Sequence, residues 1–147
     1  MIGLLLLSLF TFVELNCENL FDTRHDSLRH DEEYLPASAL RWTPQRYWRK
    51  LNHIGKAILS CGELDSGMMV PDMVILTEVE NDSVMHDLTR RSLLRGAGYS
   101  YVMTSGPDIR GIDVALMFSP YAFRLINSPA LSWATHTLLL MSTCSHA

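Results

Sequence analysis

The chain has 147 residues, a length that suits one domain and leaves too little sequence for two domains with separate cores. Its hydrophobic content of 48% and its charged content of 19% exclude an intrinsically disordered class. The net charge of −4 argues against a general electrostatic grip on nucleic acid, because proteins that bind nucleic acid through its phosphates usually carry a basic face.

The N-terminal segment MIGLLLLSLFTFV, residues 1–13, is apolar and has two open interpretations. It resembles the hydrophobic region of a signal peptide or an anchor, yet no Lys or Arg precedes it and no small-x-small cleavage site follows it. It is also shorter than the roughly 20 apolar residues that a transmembrane helix needs. The alternative is a buried strand from Leu9 to Leu15. We favour the strand for the second part of the segment and leave the first part open.

The cysteines are widely spaced and form no CxxC pair, so the sequence predicts neither a zinc site nor a disulfide framework: Cys17, Cys61 and Cys144. Buried free thiols are the expectation. A basic strip also occurs within residues 41–56, and we interpret it as a solvated helix face: Arg41, Arg46, Arg49, Lys50 and Lys56.

Strand and helix signals alternate along the chain, which predicts an α/β architecture. The first strand leads into the polar sequence NCENLFD, so residues 16–22 are expected to form a loop, and an exposed charged loop over 22–36 follows. The clearest helix comes next, with Thr43 as the N-cap, Pro44 in the first helical position and Gly62 at the end. Its apolar positions form one continuous stripe: Tyr47, Leu51, Ile54, Ile58 and Cys61.

A short apolar run from Met73 to Leu76 predicts a strand buried on both faces, and the polar sequence TEVEND follows it. Asn81 or Asp82 is expected to cap a second helix. The remaining predicted elements are strands at 99–103, 112–118 and 122–126, the last two joined as a hairpin. Beyond Pro129 the sequence shows neither strand alternation nor a helical stripe.

Polar side chains follow the first two strands where each strand ends, the place where α/β folds put their sites. On spacing alone, the sequence NCEN at 16–19 fits a turn in which Asn side chains satisfy backbone groups. Glu78 directly follows an apolar strand, so we expect it to be either buried and paired or directed into a cleft where Mg²⁺ can use it. The polar residues 80–82 also fit a structural role at a helix start.

Asp113 interrupts an otherwise apolar strand, and a buried carboxylate needs a partner. Arg110 has two open roles. It is either the partner of Asp113 or a phosphate-binding residue, because its planar guanidinium suits two phosphate oxygens.

Taken in order, four motifs carry a resemblance to a known family: NxENLFD, WTPxRYWxKL, LTEVEND and SxPDxRGIDVALMF. Together they resemble the endonuclease/exonuclease/phosphatase superfamily, and most closely its secreted or cell-envelope branch of Bacteroidetes type. The resemblance runs from about Phe10 to Ile126. It implies the N-terminal half of a DNase I-like, four-layered α/β sandwich, with residues 1–130 as a partial domain and 131–147 as a divergent tail.

The resemblance also implies a hydrolase that cleaves phosphodiester or phosphomonoester bonds with Mg²⁺ or Mn²⁺. Glu78 corresponds to the metal-binding Glu, and Asn16 to the Asn that hydrogen-bonds near the metal and the scissile phosphate. Glu18 corresponds to an acidic position that assists the metal in some members. Arg110 and Asp113 correspond to the RGID motif of this branch, with Arg110 a candidate for substrate binding and the role of Asp113 unassigned.

The second part of the family's pattern is missing from this sequence. In members of the family, this second part contains an Asp-x-Asn pair, and an Asp and a His near the C-terminus. These residues orient and deprotonate water and neutralise transition-state charge. Residues 114–147 contain no Asp and no Glu, so we expect the general base to be absent. A truncated or frameshifted gene product and a partial open reading frame are both open explanations. Either predicts an exposed apolar sheet face and self-association.

The predicted function is therefore Mg²⁺-dependent hydrolysis of a phosphate ester by a phosphodiesterase, nuclease or phosphatase, weak or absent in this chain alone. The alternative is a non-catalytic remnant that binds a partner or a membrane. No obligate protein partner is evident. A bacterial cell-envelope or secreted location is one expectation and a cytoplasmic location is the other. The sequence does not identify the substrate.

Overall fold

The computed structural model describes residues 10–64, 67–68, 70–127 and 140–143. In chain order the elements are β1 (Phe12–Leu20), α1 (Pro44–Cys61), β2 (Glu63–Leu64), β3 (Gly67–Met68), β4 (Met73–Val79), α2 (Asp82–His86), β5 (Ser100–Met103), β6 (Asp113–Phe118), β7 (Phe123–Asn127) and β8 (Leu140–Thr143). Short 3₁₀ turns occur at Glu32–Tyr34 and Leu93–Gly96, and a π turn at Asp87–Arg91.

The main sheet has four strands in the order β1-β4-β6-β5. β1 and β4 are parallel, with α1 in the connection between them, whereas β6 pairs antiparallel with both β4 and β5. Because parallel neighbours end at the same edge of a sheet, the carboxyl ends of β1 and β4 meet. β2 with β3 and β7 with β8 form separate two-stranded sheets. The predicted α/β class is therefore confirmed.

Helix α1 begins and packs as its sequence predicts. Thr43 caps it, with Oγ1 accepting the Arg46 N–H at 3.4 Å. Four residues of the predicted stripe are buried: Tyr47, Leu51, Ile54 and Ile58. Cys61 is exposed instead, and its Sγ lies 3.3 Å from the Ala57 carbonyl oxygen, so this thiol bonds locally in the last helical turn. Cys17 is the buried free thiol that the sequence predicts, and Cys144 lies outside the described residues.

Alternate residues of the central strands point to opposite faces of the sheet. On β4, Val74 and Leu76 are fully buried in the core beneath α1, while Met73 and Ile75 stay partly exposed. β6 repeats this alternation. The prediction that residues 73–76 are buried on both faces is therefore wrong for one face of the sheet. The described residues cover that face only in part.

β1 continues to Leu20, although the sequence predicts a loop from Asn16 onward. The strand persists because pairing with β4 resumes at Leu20, which is fully buried. The predicted hairpin between 112–118 and 122–126 is also wrong, since β7 pairs with β8. A turn redirects the chain there, with the N–H groups of Ala122 and Phe123 both donating to the Ser119 carbonyl. β8 lies beyond Pro129, where no element is predicted.

Among the described residues, no helix combines the length and the apolar character needed to cross a bilayer. Residues 1–9 of the apolar N-terminal segment lie outside the described part of the chain. The strand predicted at Leu9–Leu15 is confirmed from Phe12 onward.

Candidate functional site

The candidate site is built around a bulge in β1. Pairing with β4 is regular up to Asn16 and resumes at Leu20, so four steps along β1 match two steps along β4. The chain turns here through left-handed conformations, with φ 49° at Glu18 and φ 59° at Asn19. Asn tolerates this region, whereas a residue such as Glu18 adopts it at a cost of about 1–2 kcal/mol, so surrounding contacts must hold the bulge.

Glu78 stands opposite this bulge, near the end of β4, and is itself left-handed, with φ 60°. Its carboxylate is held by β1 on both oxygens. Asn16 Nδ2 donates to Oε1 at 3.2 Å, and the Asn19 N–H donates to Oε2 at 2.9 Å. Glu78 is partly exposed, and each of its oxygens has capacity for a further interaction. The structure thus brings Asn16 and Glu78 together at one edge of the sheet.

Glu18 lies in the same bulge, but its exposed side chain makes no hydrogen bond to another described residue. Its N–H donates to Asn16 Oδ1 at 2.7 Å. No group of three His, Cys, Asp or Glu side chains within the described ranges could hold a metal ion, so this is not an all-protein metal cage.

The donor set nonetheless fits Mg²⁺, which commonly takes one or two carboxylates and keeps several waters. Glu78 supplies one accessible carboxylate, and the exposed Glu18 offers a second in the adjoining bulge. Asn19 adds an independent observation, because its Oδ1 is buried and has no hydrogen-bond partner among the described residues. A buried oxygen left in this way calls for a water molecule or an ion.

The structure separates the two charged residues of the RGID sequence. Asp113 is 7% exposed and accepts a hydrogen bond from Thr104 Oγ1 at 2.7 Å. Arg110 is exposed and pairs with Asp108, with Nη2 and Oδ2 3.0 Å apart. The Arg110 hydrogen bond lowers the pKa of the Asp108 carboxyl below its usual value. The alternative in which Arg110 is the partner of Asp113 is therefore wrong, because a hydroxyl already satisfies the buried acid.

Two clefts open beside these residues, and Asp113 lines both. The smaller, of about 260 Å³, is lined by Glu78 and Asp108 together with short apolar residues of β6 and its approach. The larger, of about 440 Å³, is lined by Arg29, Glu80 and Thr104 among other polar residues. The smaller cleft therefore gives a ligand access to Glu78.

Glu80 differs from Glu78 although the two residues are close in sequence. It is 8% exposed, and its Oε2 accepts the Asp22 N–H at 2.7 Å. Burial raises the pKa of the Glu80 carboxyl to about 7. The predicted role at the helix start falls to its neighbours: Asn81 caps α2, with its Oδ1 accepting the Val84 N–H at 2.9 Å, and Asp82 lies in the first turn. Burial likewise raises the pKa of the Cys17 thiol, to about 12, so this cysteine is not a reactive thiolate.

A sequence model described as Endonuclease/Exonuclease/phosphatase family matches residues 11–143. The chain belongs to this family. A search of curated proteins and a search of solved structures each gave no match. Membership makes the α/β fold DNase I-like and gives the chain a general phosphoesterase- or nuclease-type function on a phosphoester substrate. Members of the endonuclease/exonuclease/phosphatase family generally depend on a divalent metal.

Lys50 is the residue at this endonuclease/exonuclease/phosphatase site that sequence reasoning missed. Instead of lying on a solvated face, it is partly buried, and its Nζ donates to the carbonyl oxygens of Glu18 at 2.6 Å and Asn19 at 3.1 Å. Its position three residues after Tyr47 and four before Ile54 places it at the border of the buried stripe. That spacing is the signal that could have identified it.

Proposed function

We propose that this family member hydrolyses phosphate esters with the help of Mg²⁺ or Mn²⁺, and that Glu78 holds the cation. The supporting observation is the partly exposed Glu78 carboxylate, which Asn16 Nδ2 and the Asn19 N–H fix from β1 at the mouth of a cleft. A divalent cation bound there would supply charge neutralisation at the phosphate. Because both donors are neutral N–H groups, they orient the carboxylate without cancelling its charge.

The neighbouring side chains suggest how a phosphate ester is bound. Asn16 Nδ2 carries a second N–H beyond the one given to Glu78, and it is available to a phosphate oxygen. Arg110 is exposed at the loop that lines the same cleft through Asp108, and its guanidinium can reach phosphate oxygens while Asp108 holds it. Glu18 would assist the cation from the bulge. Asp113, buried against Thr104, is assigned no catalytic role.

We expect slow turnover by this chain alone. Residues 114–147 supply no carboxylate that could orient a histidine as a general base. Cation binding is therefore the more direct test.

Titration with Mn²⁺, followed by water proton relaxation, should reveal a site with a dissociation constant of roughly 0.1–1 mM, in the range of weakly held cations. Glu78→Gln should weaken binding about tenfold, because the amide keeps the shape and loses the charge. Glu14→Gln is the matched control, since it removes an exposed carboxylate from β1 and the same unit of charge. Equal affinity of Glu78→Gln and the unsubstituted chain would exclude Glu78 as the ligand.

Hydrolysis of p-nitrophenyl phosphate monoesters and diesters in Mn²⁺ tests the reaction itself. Any turnover should disappear on chelation and in Glu78→Gln, and should persist in Glu14→Gln. Turnover that survives both chelation and Glu78→Gln would assign the activity to another site or to a contaminant.

A further inference from the structure

The bulge at Glu18–Asn19 is a strained feature that the fold must stabilise. Two adjacent residues without Gly's freedom are left-handed, and Glu78 across from them is left-handed too. The left-handed conformation is unfavourable for Glu18 and Glu78 and better tolerated by Asn19, so the bulge would relax unless specific contacts opposed it. The contacts that fix the bulge therefore also fix the N–H that Asn19 presents to Glu78.

Lys50 makes the contacts that reach the bulge from helix α1. Its ammonium bridges two consecutive carbonyl oxygens, those of Glu18 at 2.6 Å and Asn19 at 3.1 Å. A charged donor strengthens such hydrogen bonds relative to neutral ones. A bridge across two successive carbonyls also restricts the peptide plane between them, and this plane carries the Asn19 N–H.

Trp42 also contacts the Lys50 ammonium. Lys50 Nζ lies 5.4 Å from the centroid of the Trp42 ring, within the range of a cation–π interaction. Trp42 in turn donates its Nε1–H to the Phe21 carbonyl at 3.0 Å, just beyond the bulge. The ammonium thus lies beside an aromatic ring that is anchored to Phe21, one residue beyond the end of β1.

We propose that Lys50 is a positioning residue for Glu78, acting through the Glu18–Asn19 bulge. By bridging the two carbonyl oxygens it orients the Asn19 N–H toward Glu78 Oε2, at 2.9 Å. Lys50 forms no ion pair with Glu78 within the described residues, although the two charges interact electrostatically, so the hydrogen-bonded link between them runs through the bulge. The inference rests on the proposed function only in taking Glu78 to be the cation ligand. The geometry of the bulge can be tested whether or not Glu78 binds a cation.

Three substitutions separate this role from general effects of charge and stability. Lys50→Met keeps a long unbranched side chain and removes every donor. Arg49→Met removes a neighbouring exposed cation from the same helix and serves as the matched control. Lys50→Arg retains two donors that can reach adjacent carbonyls and is the conservative rescue.

Amide hydrogen exchange at Asn19, measured by NMR, is the first readout. We expect exchange at least about tenfold faster in Lys50→Met, with values close to those of the unsubstituted chain in Arg49→Met and Lys50→Arg. Mn²⁺ affinity is the second readout, and it should fall several-fold in Lys50→Met alone. Unchanged exchange at Asn19 in Lys50→Met, or faster exchange across β4 and β6 with no excess at Asn19, would overturn the inference.

The two readouts also distinguish the two proposals. If the unsubstituted chain binds no Mn²⁺, the proposed function fails, and exchange at Asn19 still decides the role of Lys50. Removing a positive charge should by itself strengthen cation binding, so an equal loss of Mn²⁺ affinity in Lys50→Met and Arg49→Met would indicate a general loss of structure and overturn the inference. Should Lys50→Met fail to fold, Lys50→Leu, which also lacks every donor, takes its place under the same criteria.

Discussion

Asp31 shows how a single buried acid is satisfied in the loop that follows β1. It is 1% exposed, accepts the Asp26 N–H at 2.7 Å, and lies 2.6 Å from His25 Nδ1. The hydrogen bond to Asp31 raises the pKa of His25 above its ordinary value of 6.5. The His25 ring is exposed, whereas the Asp31 carboxylate that it contacts is buried.

The His25 pair predicts a pH dependence of this loop. A pKa raised on folding stabilises the folded loop fully below the unfolded value of 6.5, and this contribution is lost as the pH rises through the folded value. Amide exchange of residues 22–35, corrected for intrinsic rates, should therefore accelerate as the pH rises through that window. His25→Gln should abolish the change, and His30→Gln, at an exposed histidine of the same loop, should preserve it. An NMR titration that places the His25 pKa at or below 6.5 would contradict this account.

At the residue scale, the sequence predicted which residues lie close together better than it predicted which residues bond to each other. Asn16 and Glu78 could be placed together because each follows an apolar segment that reads as a strand. The partner of Arg110 could not be chosen, because Asp108 and Asp113 lie two and three residues away in sequence. The partner of Arg110 depends on Thr104, which follows the end of a neighbouring strand. Its hydroxyl donates a hydrogen bond to Asp113, and Arg110 pairs with Asp108.

Among the larger elements, the loop between β5 and β6 is fixed by residues from the loop after β1. Arg29 Nη1 donates to the Asp108 carbonyl at 2.7 Å, and the His30 N–H donates to the Ile109 carbonyl at 2.9 Å. The Arg29 stem also passes over Gly111, where a Cβ would lie 3.2 Å from Arg29 Cγ. Gly111 has φ 85°, so both its conformation and its lack of a side chain are required here.

Three glycines test these two requirements separately. Gly111→Ala should lower the free energy of unfolding by more than about 1–2 kcal/mol, since it combines a left-handed backbone with contact to Arg29. Gly98→Ala, with φ 70° and open space around it, should cost about 1–2 kcal/mol for the backbone alone. Gly96→Ala, which has space and no positive φ, should be neutral or stabilising by up to about 1 kcal/mol. Urea denaturation measures all three, and equal losses would refute the proposed packing of Arg29.

Element boundaries could be predicted where the signal is local. Helix α1 carries its own cap, its first-turn proline and its apolar stripe, and the structure confirms the cap, the proline and every stripe position except Cys61. The end of β1 could not be predicted, because the bulge depends on pairing with β4, which lies about sixty residues away. The pairing of β7 could not be predicted either, because its partner β8 lies in a segment whose sequence shows no strand alternation.

For the molecule as a whole, the sheet face opposite α1 is covered only in part by the residues that the structure describes. Phe12 on the edge strand is 56% exposed, and Met73 and Ile75 on β4 are partly exposed beside it. Contiguous exposed apolar surface of this kind favours association between chains.

We therefore expect the sedimentation coefficient to rise with protein concentration. Phe12→Lys should reduce this rise, because a charge on an edge strand opposes pairing. Leu28→Lys is the control, since Leu28 is 88% exposed but lies in a loop. A monomer at every concentration, or equal effects of the two substitutions, would locate association elsewhere or rule it out.

The hydrogen bonds to Glu78 span long separations in sequence, 62 residues to Asn16 and 59 residues to Asn19. Closing a loop of that size costs chain entropy before any contact forms, so the site does not exist until the two distant segments have docked. A cation held by Glu78 would then stabilise the docked state of the two segments by its binding free energy. Removing it with a chelator should lower the thermal midpoint of the whole domain, although no core side chain has changed.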